Sequence, residues 1–392
     1  MLNLTYEYKL EPTSEQKQAF EQWLEICRKV YNYALRERKD WANSRKCEVN
    51  ACSLKQEYII PADAPRPTFY SQCKSLAAAK ETLPQLKIPH THVLQQVLRT
   101  LEAAFVAMWE RGHGFPRFKK RMRSFVYPQL NKVPVKGDML NLPKIGWVKM
   151  RLSRPIPEGF ELKQVRVVKR ASGFYAMLTL QLDVEVQKPM PSGHGIGIDL
   201  GLQNFLATSE GELIDRPRFF VDGQRQLKLL QRQLKRKKKG SRLFRQLHHR
   251  IALHHEYISL ARKDFHFKTA HQLCDNAGMI FAEDLNLKAM SASMLSKHTL
   301  DAGFGQFLNI LSHVCFKRGV YFAKVDANGT SQTCPNCQTH TGKKLLSERV
   351  HKCTECGYET NRDVAAAQVI RQRGYTAVGH IAVKLGEGKL HE

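Results

Sequence analysis

Four cysteines in the last quarter of the chain have the spacing of a zinc site. Cys334 and Cys337 form one Cys-x-x-Cys pair, and fifteen residues later Cys353 and Cys356 form a second. Two such pairs supply four thiolates to one tetrahedral Zn²⁺, and four sulfur ligands leave no open position for a substrate. This four-cysteine cluster therefore predicts one structural Zn²⁺ that supports local folding.

Three acids lie at the ends of predicted elements. Asp199 lies in the glycine-rich apolar strand 195–201, Glu283 ends a second apolar strand, and Asp363 begins the last helix. A single acid in such a place is usually a helix cap or an ion-pair partner. An Asp at the carboxyl end of an internal strand, however, faces a crevice, and the alanines at 365–367 would let the last helix approach the sheet. We therefore expect this acidic triad to converge.

Converging carboxylates are oxygen ligands suited to hard divalent cations. Two Mg²⁺ a few ångströms apart can activate water and stabilise the leaving oxygen of a phosphodiester. The acidic triad thus predicts phosphodiester chemistry with two catalytic Mg²⁺ ions.

The charge balance points to a polyanionic partner. The chain has 62 Lys and Arg against 36 Asp and Glu, a formal net charge of +26. Such a protein repels itself unless a polyanion neutralises it, and nucleic acid is the leading partner. Residues 117–127 interleave basic and aromatic side chains, and residues 225–250 hold eleven Lys or Arg and no acid. Either segment could be only a solvated face, but the net charge favours contact with phosphates and bases.

We call residues 117–123 the first basic segment and residues 225–250 the second basic segment. The side chains predicted to contact nucleic acid are Arg117, Lys119, Lys120, Arg121, Arg123, Lys235, Arg236, Lys237, Lys238 and Lys239.

The first half of the chain is predicted to combine strands and helices. Alternation over 2–10 indicates a strand, and Thr13 with Gln16 forms a capping box for the helix that follows. A second amphipathic helix is predicted over 91–111, and residues 145–190 have the pattern of strands and a hairpin.

A proline-containing linker at 188–193 predicts a domain boundary, and the pattern beyond it is α/β. The expected elements are one strand over 194–209, one long helical region over 221–275, a strand over 278–284, a helix over 302–318, a strand over 320–325 and a helix from 362.

Other features exclude several classes of protein. With 42% hydrophobic residues the composition is that of a folded protein, and no apolar run approaches the ~20 residues that span a bilayer. The first residues lack the basic region and apolar core of a signal peptide. We therefore expect a cytoplasmic protein, nucleoid-associated when bound to DNA, with no membrane partner.

The motifs together resemble a known family. Residues 197–201, 282–285, both Cys-x-x-Cys pairs and residues 361–367 match, in order and spacing, the TnpB proteins of bacterial insertion sequences. The opening strand and helix, which reach Tyr31 and Asn32, and residues 116–119 are also similar to that family.

This resemblance implies a multidomain α+β fold. A β-barrel wedge domain would hold an inserted helical recognition domain, and an RNase H-like (RuvC) α/β domain would hold an inserted zinc ribbon. The corresponding boundaries are 1–10 and 115–190 for the wedge, 11–114 for the recognition domain, 193–326 and 360–376 for the nuclease, 327–359 for the ribbon, and 377–392 for a C-terminal tail.

The resemblance also implies an activity. TnpB proteins are RNA-guided DNA endonucleases, similar to type V CRISPR effectors, and their guide RNA comes from the transposon end. Asp199, Glu283 and Asp363 would be the catalytic metal ligands, with Asp199 shared by two Mg²⁺, and the substrate would be double-stranded DNA next to a short motif. Gln338 and Asn361 depart from the family's usual Gly and Asp without removing a metal ligand.

Three alternatives remain open on the sequence. The chain could be an RNA-guided DNA-binding repressor that does not cut, although an intact acidic triad argues against that. It could be a DNA-joining transposase on the same scaffold, acting on transposon ends without RNA. It could also be a structural RNA-binding protein without nuclease activity.

Overall fold

The computed structural model describes residues 2–46, 60–61, 63–130, 134–292, 294–345 and 347–379. The chain divides into two units, Met1–Val186 and Gln187–Glu392. Most of the predicted tail, residues 380–392, lies outside the described residues. Among the described helices, none is both long and apolar enough to cross a membrane.

The first unit is built on one antiparallel sheet. Its strands are β1 (Leu2–Glu11), β2 (Ser124–Tyr127), β3 (Val135–Lys136), β4 (Met139–Leu142), β5 (Gly146–Arg151), β6 (Glu161–Arg170) and β7 (Gly173–Leu182). They pair in the order β2-β6-β7-β1-β5-β4-β3, with the first strand of the chain in the centre. In the described residues β2 and β3 are the two edges of this sheet, and closure into a barrel stays a prediction.

In the described part of the connection from β1 to β2 there are three α-helices, namely α1 (Ser14–Ser44), α2 (Phe69–Thr82) and α3 (Thr91–Arg111). The predicted capping box is confirmed, because Gln16 N lies 3.3 Å from Thr13 Oγ1 and Thr13 N lies 3.1 Å from Gln16 Oε1. The predicted bounds of α3 are also confirmed, and Gly112 ends it in a left-handed conformation (φ 64°) that favours glycine. The helices and the sheet share one apolar core, in which Phe20 packs against Phe125 and Phe174.

The second unit contains a mixed sheet of five strands in the order β10-β9-β8-β11-β12. The strands are β8 (Gly195–Leu200), β9 (Asn204–Thr208), β10 (Leu213–Asp215), β11 (Met279–Glu283) and β12 (Tyr321–Val325). The prediction of one strand over 194–209 was wrong. The chain turns after Leu200 and returns antiparallel as β9, with Leu200 opposite Leu206.

The described residues of this unit form six α-helices: α4 (Phe219–Lys235), α5 (Arg242–Asp275), α6 (Leu287–Ala292), α7 (Ser296–Ala302), α8 (Phe304–Arg318) and α9 (Arg362–Ala377). The helical region predicted over 221–275 is divided into two helices, because the chain leaves the helix after Lys235. Gly240 takes a positive φ of 85°, and Ser241 Oγ then caps α5 by accepting a hydrogen bond from Phe244 N.

The central strands of this sheet are covered on both faces. One face packs on an apolar core shared with α5 and α8, and the other on a smaller core that includes Ile370 of α9. Every residue of β11 is therefore buried, which explains its continuous apolar sequence. Between β12 and α9 the chain forms a small insertion with β13 (Val350–Lys352) and β14 (Glu359–Asn361), which carries the four-cysteine cluster.

Candidate functional site

The register of two parallel strands places Asp199 and Glu283 side by side. β8 and β11 pair with Ile198 opposite Ala282, so Asp199 and Glu283 are the next residues on adjacent strands. Strand neighbours are about 4.8 Å apart, and residues at matching positions point to the same face of a sheet. Both acids therefore lie at the carboxyl edge of the sheet, on one side of it.

Helix α9 runs antiparallel to β8 and brings Asp363 to the same edge. Tyr375, near the end of α9, bonds through its hydroxyl to the backbone N–H and C=O of Gly195. Two residues further along β8, Gly197 meets Ala367, one turn after Asp363. Residue 195 of the strand thus faces residue 375 of the helix, and residue 197 faces residue 367. Because the helix numbers decrease as the strand numbers increase, the next turn of the helix places Asp363 near Asp199.

The cap of α9 fixes the backbone next to Asp363. Asn361 is the N-cap, and its Oδ1 accepts hydrogen bonds from Asp363 N at 2.9 Å and Val364 N at 3.5 Å. Asp363 thus lies in the first turn, where its charge also complements the helix dipole. Asn361 has a structural function here that does not require a metal.

The charges of the other two acids perturb Asp199. The pKa of Asp199 is raised well above its ordinary value, first by desolvation and then by the charges of Glu283 and Asp363, while Arg362 acts in the opposite direction. Asp199 keeps partial contact with solvent, so a cation or a substrate phosphate can reach it. Two further negative charges near a desolvated carboxylate create a site that favours a cation.

Glu283 is the most enclosed of the triad, with 8% of its surface exposed. Its pKa is raised by burial, which outweighs the opposing effects of a hydrogen bond from Thr330 and the charge of Arg373. The Thr330 hydroxyl donates to Glu283 Oε1. Neither Thr330 nor Arg373 was predicted from the sequence, because a lone Thr in a turn and a lone Arg on a helix carry no spacing signal.

The four-cysteine cluster forms a compact tetrad. Its four sulfurs all lie within 4.8 Å of one another, and the Sγ–Sγ distances are 3.6 Å for Cys334–Cys356 and 3.6 Å for Cys337–Cys353. Four thiolates at ~2.3 Å around a tetrahedral Zn²⁺ would be about 3.8 Å apart, so the donor set fits this ion. In the described residues this is the one group of three or more His, Cys, Asp or Glu that is so tightly packed; the acidic triad is more open.

Gln338, which directly follows the first Cys-x-x-Cys pair, helps to connect this pair to helix α9. It adopts a left-handed backbone (φ 66°), which costs a non-glycine residue about 1–2 kcal/mol. Its side chain donates to Gln372 Oε1 of α9 at 2.5 Å, and Gln372 in turn donates to Pro335 O at 2.5 Å. These bonds attach the four-cysteine cluster to the helix that carries Asp363.

The ten predicted basic side chains are all exposed. Among the described residues, no carboxylate lies within ion-pair distance of any of them. Those of the second basic segment lie at the end of α4 and in the connection to α5. Their positive charge is therefore not neutralised within the described protein.

The first basic segment is held on α1 by one side chain. Asn32 accepts from Lys119 N at 2.8 Å and donates to Lys119 O at 3.0 Å, so a single amide fixes the backbone of an irregular stretch. Lys119 Nζ also lies 5.1 Å from the ring centre of Tyr31. In the sequence, Tyr31 and Asn32 stand out only through the resemblance to a family. In the structure, both side chains contact Lys119.

Three family profiles match the chain. The one described as "Helix-turn-helix domain" matches residues 1–47, "Probable transposase" matches 179–294, and "Cas12f1-like, TNB domain" matches 304–370. In the structure, the described part of 1–47 is a strand followed by one uninterrupted helix. The last profile covers the four-cysteine cluster and Asp363.

Similar proteins cover almost the whole chain. A protein of Escherichia coli (strain K12) named "Putative RNA-guided DNA endonuclease InsQ" is 30% identical over an alignment of 402 positions, which covers 97% of this chain and 94% of that protein. A "Putative RNA-guided DNA endonuclease" of Streptomyces pristinaespiralis is 28% identical over 95% of this chain and 89% of its own length. A "TnpB-like protein L770" of Acanthamoeba polyphaga mimivirus is 22% identical over 93% of this chain and 72% of its own length.

Two solved structures share the fold. The "Cryo-EM structure of the Cas12f1-sgRNA-target DNA complex" aligns with a TM-score of 0.55 at 16% identity, covering 92% of this chain and 83% of that one. The "Structure of the mini-RNA-guided endonuclease CRISPR-Cas_phi3" aligns with a TM-score of 0.51 at 8% identity, covering 97% and 92%. At such identities the likeness concerns the fold alone, a mixed α+β architecture of several domains.

Proposed function

Because this chain belongs to the TnpB family, we propose that it is an RNA-guided DNA endonuclease whose acidic triad binds catalytic Mg²⁺. Membership of the family rests on 30% identity over 97% of the chain to the Escherichia coli relative, whose name states the same activity. Within this proposal, residues 193–326 and 360–376 form the RNase H-like (RuvC) nuclease and 327–359 its zinc ribbon. Residues 1–10 and 115–190 form the wedge around the recognition domain 11–114.

One observation carries the assignment of the site. Asp199, Glu283 and Asp363 come from distant parts of the chain, and the charges of the last two raise the pKa of the first. A fold gains no stability from grouping like charges in a desolvated place. Such a group is expected where a ligand of opposite charge supplies the compensation.

The residues present suit magnesium. The triad offers oxygen donors alone, which are the ligands that Mg²⁺ prefers. Asp199, whose pKa is raised by the charges of both other acids, would be shared by two ions, with Glu283 and Asp363 each binding one. When bound, the ions would supply an activated water and charge stabilisation at the leaving oxygen.

The remaining chemistry belongs to the chain. The elements β8, β11 and α9 would position the three carboxylates at one edge of the sheet. Burial of Glu283 excludes bulk water from one side of the site, which strengthens electrostatic interactions there. The two basic segments would bind the phosphates of guide RNA and of the RNA–DNA heteroduplex, while base pairing selects the target.

Cleavage of a matched DNA tests the proposal. RNA that copurifies with the protein from cells carrying its native locus is sequenced, and its guide portion is rewritten to match a linear DNA. We expect Mg²⁺-dependent cleavage by the wild type and none detectable by Asp199→Asn. Asp284→Asn is the matched control, because this neighbouring acid is exposed and pairs with Lys324 at 3.0 Å outside the triad; it should cleave like the wild type.

The same experiment separates the alternatives. A non-cutting repressor would bind the matched DNA with guide RNA and leave it intact in both proteins. A DNA-joining transposase would act on transposon ends and would be unaffected by RNase treatment. Equal cleavage by the wild type and Asp199→Asn would refute the site assignment.

A further inference from the structure

Glu283 depends on one side chain for its hydrogen bonding. In the described residues, the hydrogen bond recorded to its carboxylate is the one donated by the Thr330 hydroxyl. Thr330 is itself buried, with 4% of its surface exposed. A buried carboxylate with a single donor is oriented by that donor, because the alternative rotamers leave its charge without compensation.

The Thr330 hydroxyl has one proton and two acceptors within reach. Besides Glu283 Oε1 it lies 3.3 Å from Ala327 O. A hydrogen bond to an ionised carboxylate is roughly twice as strong as one to a neutral carbonyl. The proton therefore belongs to the bond with Glu283, and the second oxygen of the carboxylate stays available for another ligand.

Arg373 of α9 holds the turn that contains Thr330 in place. Arg373 donates to Asp326 O at 2.7 Å and to Asn328 O at 2.8 Å, so one guanidinium holds two carbonyls of the connection after β12. Gln332 N then bonds to Gly329 O at 3.0 Å, and Thr341 N bonds to Gln332 O at 2.7 Å. Thr330 thus lies on a backbone restrained on both sides.

We propose that Thr330 is a positioning residue of the nuclease site: its hydroxyl fixes one oxygen of Glu283 so that the other is presented to a divalent cation. The proposal rests on the proposed function, since it assigns Glu283 as a metal ligand. Thr330 itself touches neither the metal nor the substrate.

Three variants of the full-length, zinc-loaded protein test it. Thr330→Val keeps the shape of the side chain and removes the hydroxyl, and Thr330→Ser keeps the hydroxyl. Thr333→Val is the matched control, because Thr333 lies in the same turn and its hydroxyl bonds to Gly329 O at 3.0 Å, away from the carboxylates. The first readout is the affinity for Mn²⁺ of protein free of nucleic acid, measured from the electron paramagnetic resonance signal of the free ion.

We expect Thr330→Val to weaken Mn²⁺ binding by about tenfold or more, the usual effect of losing a group that orients a ligand. Thr330→Ser should recover binding to within about threefold of the wild type, and Thr333→Val should match it. Single-turnover cleavage with guide RNA should follow the same order.

Two results would overturn the proposal. Equal Mn²⁺ affinity in Thr330→Val and Thr333→Val would show that the hydroxyl has no effect on the site. Equal weakening in Thr330→Val and Thr330→Ser would show that packing, rather than the hydroxyl, is responsible.

Failure of the proposed function gives a different pattern. If the wild type cleaves no matched DNA, the nuclease assignment fails while the order of Mn²⁺ affinities still decides the role of Thr330. If Glu283→Gln binds Mn²⁺ like the wild type, Glu283 is not a ligand, and both proposals are wrong.

Discussion

Replacing Gly197 by alanine tests whether the contact between β8 and α9 determines the position of Asp363. An ideal Cβ at Gly197 would lie 2.0 Å from Ala367 O and 2.6 Å from Arg371 N. Both neighbours are backbone atoms of a helix, so neither can move aside alone. Gly197 has no positive φ, and alanine therefore meets only this steric obstacle.

The size of the effect follows from the distances. Ordinary contacts begin near 3.4 Å, so α9 must retreat by 3.4 − 2.0, or about 1.4 Å. Overpacking of this kind costs about 1–3 kcal/mol, and a clash with two backbone atoms favours the upper end. About 3 kcal/mol lowers the equilibrium constant for keeping α9 on the sheet by roughly a hundredfold. A displacement of about 1 Å at a catalytic group can lower the rate by a similar factor.

The assay must report on the second unit by itself. All four tryptophans, at 23, 41, 109 and 147, lie in the first unit, so their fluorescence follows that unit during unfolding. Amide hydrogen exchange over Arg362–Ala377 measures the opening of α9 directly. We expect faster exchange in α9, an unchanged fluorescence transition and cleavage reduced by about a hundredfold.

Gly114→Ala is the control, since nothing lies within 4 Å of its Cβ position and its φ is not positive. It should leave both exchange and cleavage unchanged. If Gly197→Ala showed the exchange of the wild type within about 0.5 kcal/mol, the argument that this close approach positions Asp363 would be refuted.

Three further outcomes are expected. Elemental analysis should find about one zinc ion per chain in the wild type and none in Cys334→Ser, because three thiolates no longer close the tetrahedron. His266 is buried with its Nε2 3.0 Å from Ala302 O, and desolvation lowers its pKa from 6.5 to about 4. At pH values between these two, His266 binds a proton in the unfolded chain and not in the folded one. The free energy of unfolding therefore falls by about 3 kcal/mol as the pH falls from about 6.5 to about 4. In denaturant titrations His266→Phe should show a smaller loss of stability over this pH range. Alanine at all three of Lys237–Lys239 should reduce the slope of log affinity for guide RNA against log salt by about 2–3, measured by filter binding.

The cysteine and lysine predictions each have a control that removes a similar group elsewhere. Cys274→Ser should keep its zinc, because Cys274 lies against Cys315 in the core, away from the four-cysteine cluster. Acid sensitivity in His266→Phe equal to that of the wild type would contradict the assignment of His266. For the lysines the control is alanine at Lys163, Lys268 and Lys324, each paired with a carboxylate; an equal salt slope in the two triple variants would contradict a specific role for Lys237–Lys239.

Local signals predicted individual elements well. Thr13 with Gln16 marked the start of α1, and the bounds of α3 followed from its apolar stripe and Gly112. Such signals succeed because capping and amphipathic periodicity involve residues within one or two turns of each other. These signals missed the tight turn after Leu200, because the residues on both sides of it are apolar. They also missed the break before Ser241, because the basic character continues through it.

The candidate site was likewise predictable only where its signals are local. The four-cysteine cluster was predictable because each Cys-x-x-Cys pair is a local turn, and the structure brings the two pairs together. The three acids were identified by their places at element ends and by resemblance to a family, and their catalytic function stays a proposal. The contacts of Asn32, Thr330 and Arg373 were missed, since each bonds to a partner more than forty residues away.

The sequence by itself determined the ligand types, the charge excess and the order of elements, because side-chain chemistry and periodicity are properties of short segments. Only the tertiary structure decided which residues meet. The parallel pairing of β8 with β11 sets Asp199 beside Glu283, and the absence of a side chain at Gly197 lets α9 carry Asp363 to them. These are contacts between segments about eighty or more residues apart, and their geometry depends on how two faces of one sheet are packed, which no local pattern encodes.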